Sequence, residues 1–340
     1  MFVKPFFSKM LLGVIILLGV GSCDSRFDVD AVLSQYIMDL SRSSSLSFPT
    51  VAIAMPESLP SSRHRRQALS QFDIGLLDFL SLQQCDVGIV AGKKNSILGK
   101  VMPDSQRFLY ELDIIRAIES CDIQNDELSK ELQYVAQQKR VELPIAFGNA
   151  IFNGVESEAF FSLSNGFLPL NYSTALQQEM LSALNRLLVI GENLAALPVI
   201  DAHVFESDLK ILMDSEYAGR LLYSLTQMTG YLNQVSRQIG GLDEGVCGAP
   251  MRYLKQQFEA NYVQIIQPYM GRVNASAYQV LPLINRLAVS SAPLSGDMQG
   301  FMRQFSVADS VWLRYQQASQ MHAKHWSALF DVCSISLQTR

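Results

Sequence analysis

The residues best equipped for chemistry stand together in Arg63-His64-Arg65-Arg66, three guanidiniums and an imidazole in four positions. A guanidinium is a permanent cation whose planar donors fit carboxylate and phosphate oxygens, so the run suits the holding of an anion. It reads as the start of a helix over about 63–84, where the helix dipole opposes cations by about 0.3–1 kcal/mol each. Compensation is therefore needed. Asp73 and Asp78 lie in the apolar run Phe72 to Leu82, and a buried carboxylate there would need a basic partner. Three readings stay open: a structural ion-pair cluster, an anion or partner site joined by Lys93, Lys94, Lys100 and Arg107, or a solvated basic face.

Other candidates carry less. "GIVAGKKNS" (Gly88–Ser96) has glycine and lysine but not the spacing of a phosphate loop, and Lys93 is followed by Lys94 where Ser or Thr is required. Asn95-Ser96 is expected to be a turn or cap. His322 and His325 share a helix face without a third ligand, so no metal is expected and contact with Trp326 is the expected fate. His203, between Asp201 and Glu206, reads as a loop residue. No G-x-S-x-G, H-E-x-x-H or paired Cys/His pattern occurs, so no catalytic residue and no cofactor is assigned. Two alternatives remain: a cell-wall glycan enzyme using a helix-borne Glu111 or Glu179, though no Tyr/Trp cluster surrounds either, and a carrier of an apolar ligand, suggested by 18 Phe and 13 Met.

Cys23 indicates an address. Lys4 and Lys9 precede the apolar stretch Met10 to Val20, which is too short to span a bilayer and ends in small residues, as a secretory signal does. Val20-Gly21-Ser22-Cys23 resembles the bacterial lipobox, in which the cysteine is acylated and the chain is cut before it. Residues 1–22 are thus expected to be a lipoprotein signal peptide and Ser25 to Asp30 a short tether. Asp24 after the cysteine favours inner over outer membrane retention. Losing residues 1–22 removes two lysines and leaves 25 basic against 32 acidic side chains, a balance that speaks against a nucleic-acid partner.

Four cysteines then remain in an oxidising compartment: Cys85, Cys121, Cys247 and Cys333. Of the three possible pairings, Cys85–Cys121 and Cys247–Cys333 is preferred, since each pair brackets segments that can fold back antiparallel. Helical periodicity dominates the chain. Leu128, Leu132 and Val135 stripe a helix over 125–140. Phe108, Leu109, Leu112, Ile115 and Ile118 stripe another begun near Pro103-Asp104, and Leu176, Met180, Leu184, Leu187 and Leu188 a third opened by Thr174 with Gln177 in capping-box spacing. Further helices are expected over 28–46, 205–240, 250–270, 275–290 and 298–332, with Phe48–Met55 an extended linker. The expected fold is all-α, packed antiparallel helices in two halves, each with one disulfide: 23–60 as tether, first helix and linker, 61–165 as the first half, and 166–340 as the second.

Over "SSRHRRQALSQFDIGLLDFLSLQQC" and "AGKKNSILGKVMPDSQRFLYELDIIRAIESC" the chain resembles a family of Gram-negative bacterial lipoproteins catalogued only as a domain of unknown function. The resemblance is densest from Arg63 to Cys121 and implies a helical envelope lipoprotein. It brings no activity or catalytic residue. The expected function is that of a non-enzymatic, lipid-anchored, periplasm-facing binding or scaffolding component. Its expected partners are the membrane, through the N-terminal lipid, and another envelope protein or an anionic envelope component.

Overall fold

A computed structural model describes residues 26–49, 53–71, 82, 85–95, 101–306 and 310–335. In chain order the helices are α1 (Arg26–Ser41), the single turn α2 (Ser62–Arg65), α3 (Asp86–Asn95), α4 (Asp104–Ser120), α5 (Asp126–Phe152), α6 (Val155–Phe160) and α7 (Thr174–Glu192). They are followed by α8 (Ala202–Ser215), α9 (Tyr217–Ile239), α10 (Ala249–Gln257), a π-helical stretch (Phe258–Ile266), α11 (Gln267–Ser290), α12 (Gly296–Met302) and α13 (Val311–Val332). The fold is all-α, with no strand among the described residues. None of the described helices is long and apolar enough to cross a membrane.

Side-chain caps mark many of the starts. Asn125 accepts from the amides of Glu127 and Leu128, Asp201 from those of His203 and Val204, and Ser310 from that of Leu313. Each satisfies donors that the first turn leaves unpaired. At α7 the cap is Ser173, which accepts from Leu176, and not Thr174, the first helical residue. Gln177 donates to Ser276 and Gln279 and so ties α7 to α11 instead of closing a capping box.

Several boundaries differ from the periodicity reading. The helix expected over 205–240 is two, because Glu216 takes a left-handed conformation (φ 49°). Its amide caps α8, and α9 sets out in a new direction with Gly219 packed on the backbone of Phe161 and Ser162, where a Cβ would clash. The break expected between 270 and 275 does not occur, and helix runs unbroken from Ala249 to Ser290. Pro268 and Pro282 are absorbed because the face bearing Tyr262, Ile266, Tyr269, Val273, Val280 and Ile284 stays buried past both, and packing outweighs a missing backbone bond. For the same reason α5 runs through Pro144, twelve residues beyond the expected end, carrying Leu143, Phe147 and Ile151 into the core. The helix expected over 298–332 is interrupted by a 3-10 turn at Arg303–Phe305 before α13. Beyond α2, residues 66–71 are not helical, and the remainder of the helix expected there falls largely outside the described residues.

α1 begins at Arg26, so the expected tether through Asp30 is largely helix, and Val29 is already buried. Buried side chains from Val29 to Phe330 form one cluster, which continues across 165–171: Phe161 meets Phe301 and Phe305 edge-on. A smaller cluster of Val87, Tyr110, Ile114, Leu128 and Leu132 lies between α3, α4 and the first half of α5. Cys85 and Cys121 are bonded at its margin, with Cα atoms 5.7 Å apart, and Cys247 is bonded to Cys333 at 5.2 Å.

Candidate functional site

Between α2, the start of α4 and the end of α5 lies a cleft of about 660 Å³, within the range of small-molecule sites. Its lining includes Arg63, Arg66 and Arg107, with Ser62, Gln67, Gln71 and Asn149 as neutral polar groups and Asp104 as a carboxylate.

Its floor is built by side chains that grip backbone. Asn149, 5 % exposed, accepts from the amide of Gln67 at 3.0 Å and donates to its carbonyl at 2.8 Å, so one amide side chain imitates a strand partner. Glu142 takes both the amide (2.9 Å) and the hydroxyl of Ser70. These two α5 residues press the 66–71 segment onto the helix. One wall is a relay: Ser62 donates to Asn153, Asn153 donates to Asp104, and Asp104 pairs with Arg66 at 2.8 Å.

The four cations at 63–66 have four different settings. Arg65 is buried and turns away from the cleft to Glu158 at 2.7 Å and the carbonyl of Asn153. His64 faces Asp297 at 3.1 Å on the α12 side. Arg66 is paired with Asp104 yet half-exposed. Arg63 is exposed and makes no hydrogen bond or ion pair among the described residues. Arg107 donates to Glu111 at 2.5 Å and lies 5.3 Å from the Tyr110 ring centroid, held there from both sides. Burial, and next the charge of Glu111, push the Tyr110 phenol up to about 12.

Of the other sequence candidates, Lys93 sits in the last turn of α3 and is not among the cleft-lining residues, and Lys100, Asp73 and Asp78 lie outside the described residues. Gly88–Asn95 is helix and not a loop. Glu111 is buried with one oxygen on Arg107 and the other on Lys139 (2.6 Å), so both oxygens are taken up by ion pairs. Glu179 is exposed at a separate cleft of about 300 Å³ beside Tyr172, Asp214 and Glu216. The phenylalanines Phe160 and Phe161 bound a space of only about 10 Å³, room for one water at most. His203 is exposed in the first turn of α8 rather than in a loop.

His322 is fully buried among aromatic rings, 4.5 Å from the centroid of Tyr262 and 6.4 Å from that of Trp326. The Tyr36 hydroxyl lies 3.4 Å from its Nε2, and burial pulls its pKa down to about 3. His325 instead meets the carbonyl of Ser236 at 2.6 Å. Its neighbour in sequence is thus not its partner in space.

Asn149, Gln67 and Asp104 were not legible as site residues. Asn149 in the last turn of α5 and Asn153 at its C-terminal cap, four apart, were the available signal, since two amides so spaced at an otherwise apolar helix end are unusual company. No curated protein and no solved structure matches this chain. A family model described as "Protein of unknown function (DUF3080)" matches residues 33–337, nearly all of the helical body, and the chain belongs to that family.

Proposed function

We propose that this protein is a lipid-anchored, periplasm-facing component of the bacterial envelope that binds an anionic ligand in the cleft of Arg63, Arg66 and Arg107. The observation that carries the reading is Arg63. In a chain of net charge −5, the cleft gathers three guanidiniums against one lining carboxylate, and one of the three has no partner among the described residues. A fixed cation facing a cleft of ligand size favours an anion there by charge and by planar donor geometry. The envelope address is supported by the lipobox-like Val20-Gly21-Ser22-Cys23 and by two disulfides, which persist in oxidising compartments.

Inorganic phosphate and sulfate are the probes. Either should raise the melting temperature of the wild type, and Arg63→Ala should keep the resting melting temperature while losing the response. An unresponsive wild type, or an Arg63→Ala variant that responds equally, would sink the anion reading. Fatty-acid labelling tests the address: label on the wild type and none on Cys23→Ser is expected, and equal label on both would refute it.

A further inference from the structure

α1 is not a free arm. Val29, Leu33, Tyr36 and Leu40 are each at most 3 % exposed, so the helix buries a continuous stripe from its first turn to its last. Near its start, Asp30 accepts from the hydroxyl of Tyr231 at 3.0 Å, which ties this end to α9. Toward its end, the carbonyl of Asp39 accepts from Tyr253 at 2.8 Å and its carboxylate from Asn261 at 3.2 Å. Lifting α1 away would expose the stripe and break the bonds at both ends together.

From this we infer that the body lies directly on the bilayer surface, with the start of α1 and the adjoining part of α9 around Tyr231 facing the lipid headgroups. The inference rests on the proposed acylation of Cys23. Three residue steps separate Cys23 from Arg26, and an extended chain covers at most about 3.6 Å per step, so about 11 Å in all. The acylated cysteine is fixed where hydrocarbon meets headgroups, and the headgroup layer itself takes up roughly 5–7 Å on each side. The first turn of α1 is therefore held within about 5 Å of the headgroup surface, less than the diameter of a helix.

Charge does not supply this contact. Asp28 and Asp30 are exposed at the approaching end, and the chain as a whole is acidic, so an anionic leaflet repels the body. The acyl chains impose the placement, and the unlipidated body should not adsorb. The geometry also selects which part of the body lies nearest the membrane, because the start of a rigidly docked helix is the point held there.

The test uses the full lipidated chain in vesicles of phosphatidylethanolamine and phosphatidylglycerol that carry a nitroxide at the headgroup. A fluorescent probe is attached at Ala31→Cys, an exposed α1 position about 8 Å along the axis from the helix start. Strong quenching is expected. Inserting about 20 Gly/Ser residues between Ser25 and Arg26 adds roughly 25 Å of flexible reach and should abolish most of the quenching while fatty-acid label is retained. A labelled but unquenched protein, or quenching unchanged by the insertion, overturns the placement and leaves the anchor standing. Absence of fatty-acid label on the Cys23 peptide overturns the anchor and the placement together. An unchanged melting temperature for Ala31→Cys confirms that the reporter has not loosened α1.

Discussion

The Arg65 guanidinium, 2 % exposed, meets the Glu158 carboxylate at 2.7 Å, while Glu158 itself remains about half-exposed. The pair is asymmetric: the cation depends on the anion, but the anion has water as an alternative. Arg65 Nε is in addition buried without a partner among the described residues. Glu158→Gln keeps an acceptor oxygen but removes the counter-charge of a buried cation, and should therefore destabilise by about 1–3 kcal/mol. Arg65→Ala would remove both the charge and its packing and is the less informative change. Denaturant titration is the measurement, and a Glu158→Gln midpoint equal to wild type would contradict the asymmetry.

Asn149 clamps the 66–71 segment through both polar atoms of its side chain. Asn149→Ala should cost about 1–3 kcal/mol, as two hydrogen bonds at roughly 0.5–1.5 kcal/mol each. Amide exchange at Gln67 and Ser70 should accelerate well beyond that of α5, and any anion response at the cleft should weaken with it. If exchange at Gln67 stays as slow as in wild type, the clamp is not what holds the segment.

His322 makes stability depend on pH. Burial holds its folded pKa near 3, against about 6.5 for an ordinary histidine, so below pH 6.5 the unfolded chain binds a proton that the folded chain refuses. Its contribution is complete above pH 6.5 and is lost as pH falls toward 3, by about 1.4 kcal/mol per pH unit. In His322→Phe that slope should be missing. Unfolding free energies of the two proteins, taken every half unit, should diverge steadily from pH 6.5 downward in favour of the variant. Parallel curves would show that His322 is protonated in the fold.

The disulfides close loops of different reach, their cysteines lying 36 and 86 positions apart in sequence. In the chain-entropy treatment each contributes roughly 4–5 kcal/mol. Replacing Cys85 and Cys121 by Ser should selectively expose the smaller cluster, because α3 is only ten residues long and is then held there by the burial of Val87, Val90 and Ala91. Hydrogen exchange should rise first at Val87, Val90, Tyr110 and Leu132 and leave the Phe147 and Leu221 region protected. Uniform loss of protection would mean that the two clusters unfold as one.

Helix type and core face were readable wherever apolar spacing was regular. Phe108, Leu112, Ile115 and Ile118 face inward from α4, and Met180, Leu184, Leu187 and Leu188 from α7, whereas Leu176 of the same expected stripe is exposed in the first turn. What escaped was decided by contacts distant in sequence. Glu216 adopts its left-handed turn, and Pro144 stays within a helix, because neighbouring elements bury the faces on either side. The basic row announced its chemistry but not its orientation. Arg65 and Arg66 find Glu158 and Asp104 on other elements, 93 residues off in the first case, and no local pattern marks either acid as a partner. The cleft floor was equally hidden, since Asn149 acts on backbone and backbone contacts leave no trace in side-chain spacing.

Tyr36 and His322 touch across 286 positions of chain, and this sets a timetable. The other partners named for α1, which are Tyr231, Tyr253, Asn261 and Tyr262, also lie beyond residue 230. Synthesis delivers α1 first and its binding surface last. For most of the chain's emergence the stripe of Val29, Leu33, Tyr36 and Leu40 has nowhere in its own fold to go. Loop-closure entropy grows with the length spanned, and topologies built on such distant contacts assemble slowly. The first helix made is therefore among the last to settle, and it is the stretch that most needs shielding while the rest is completed.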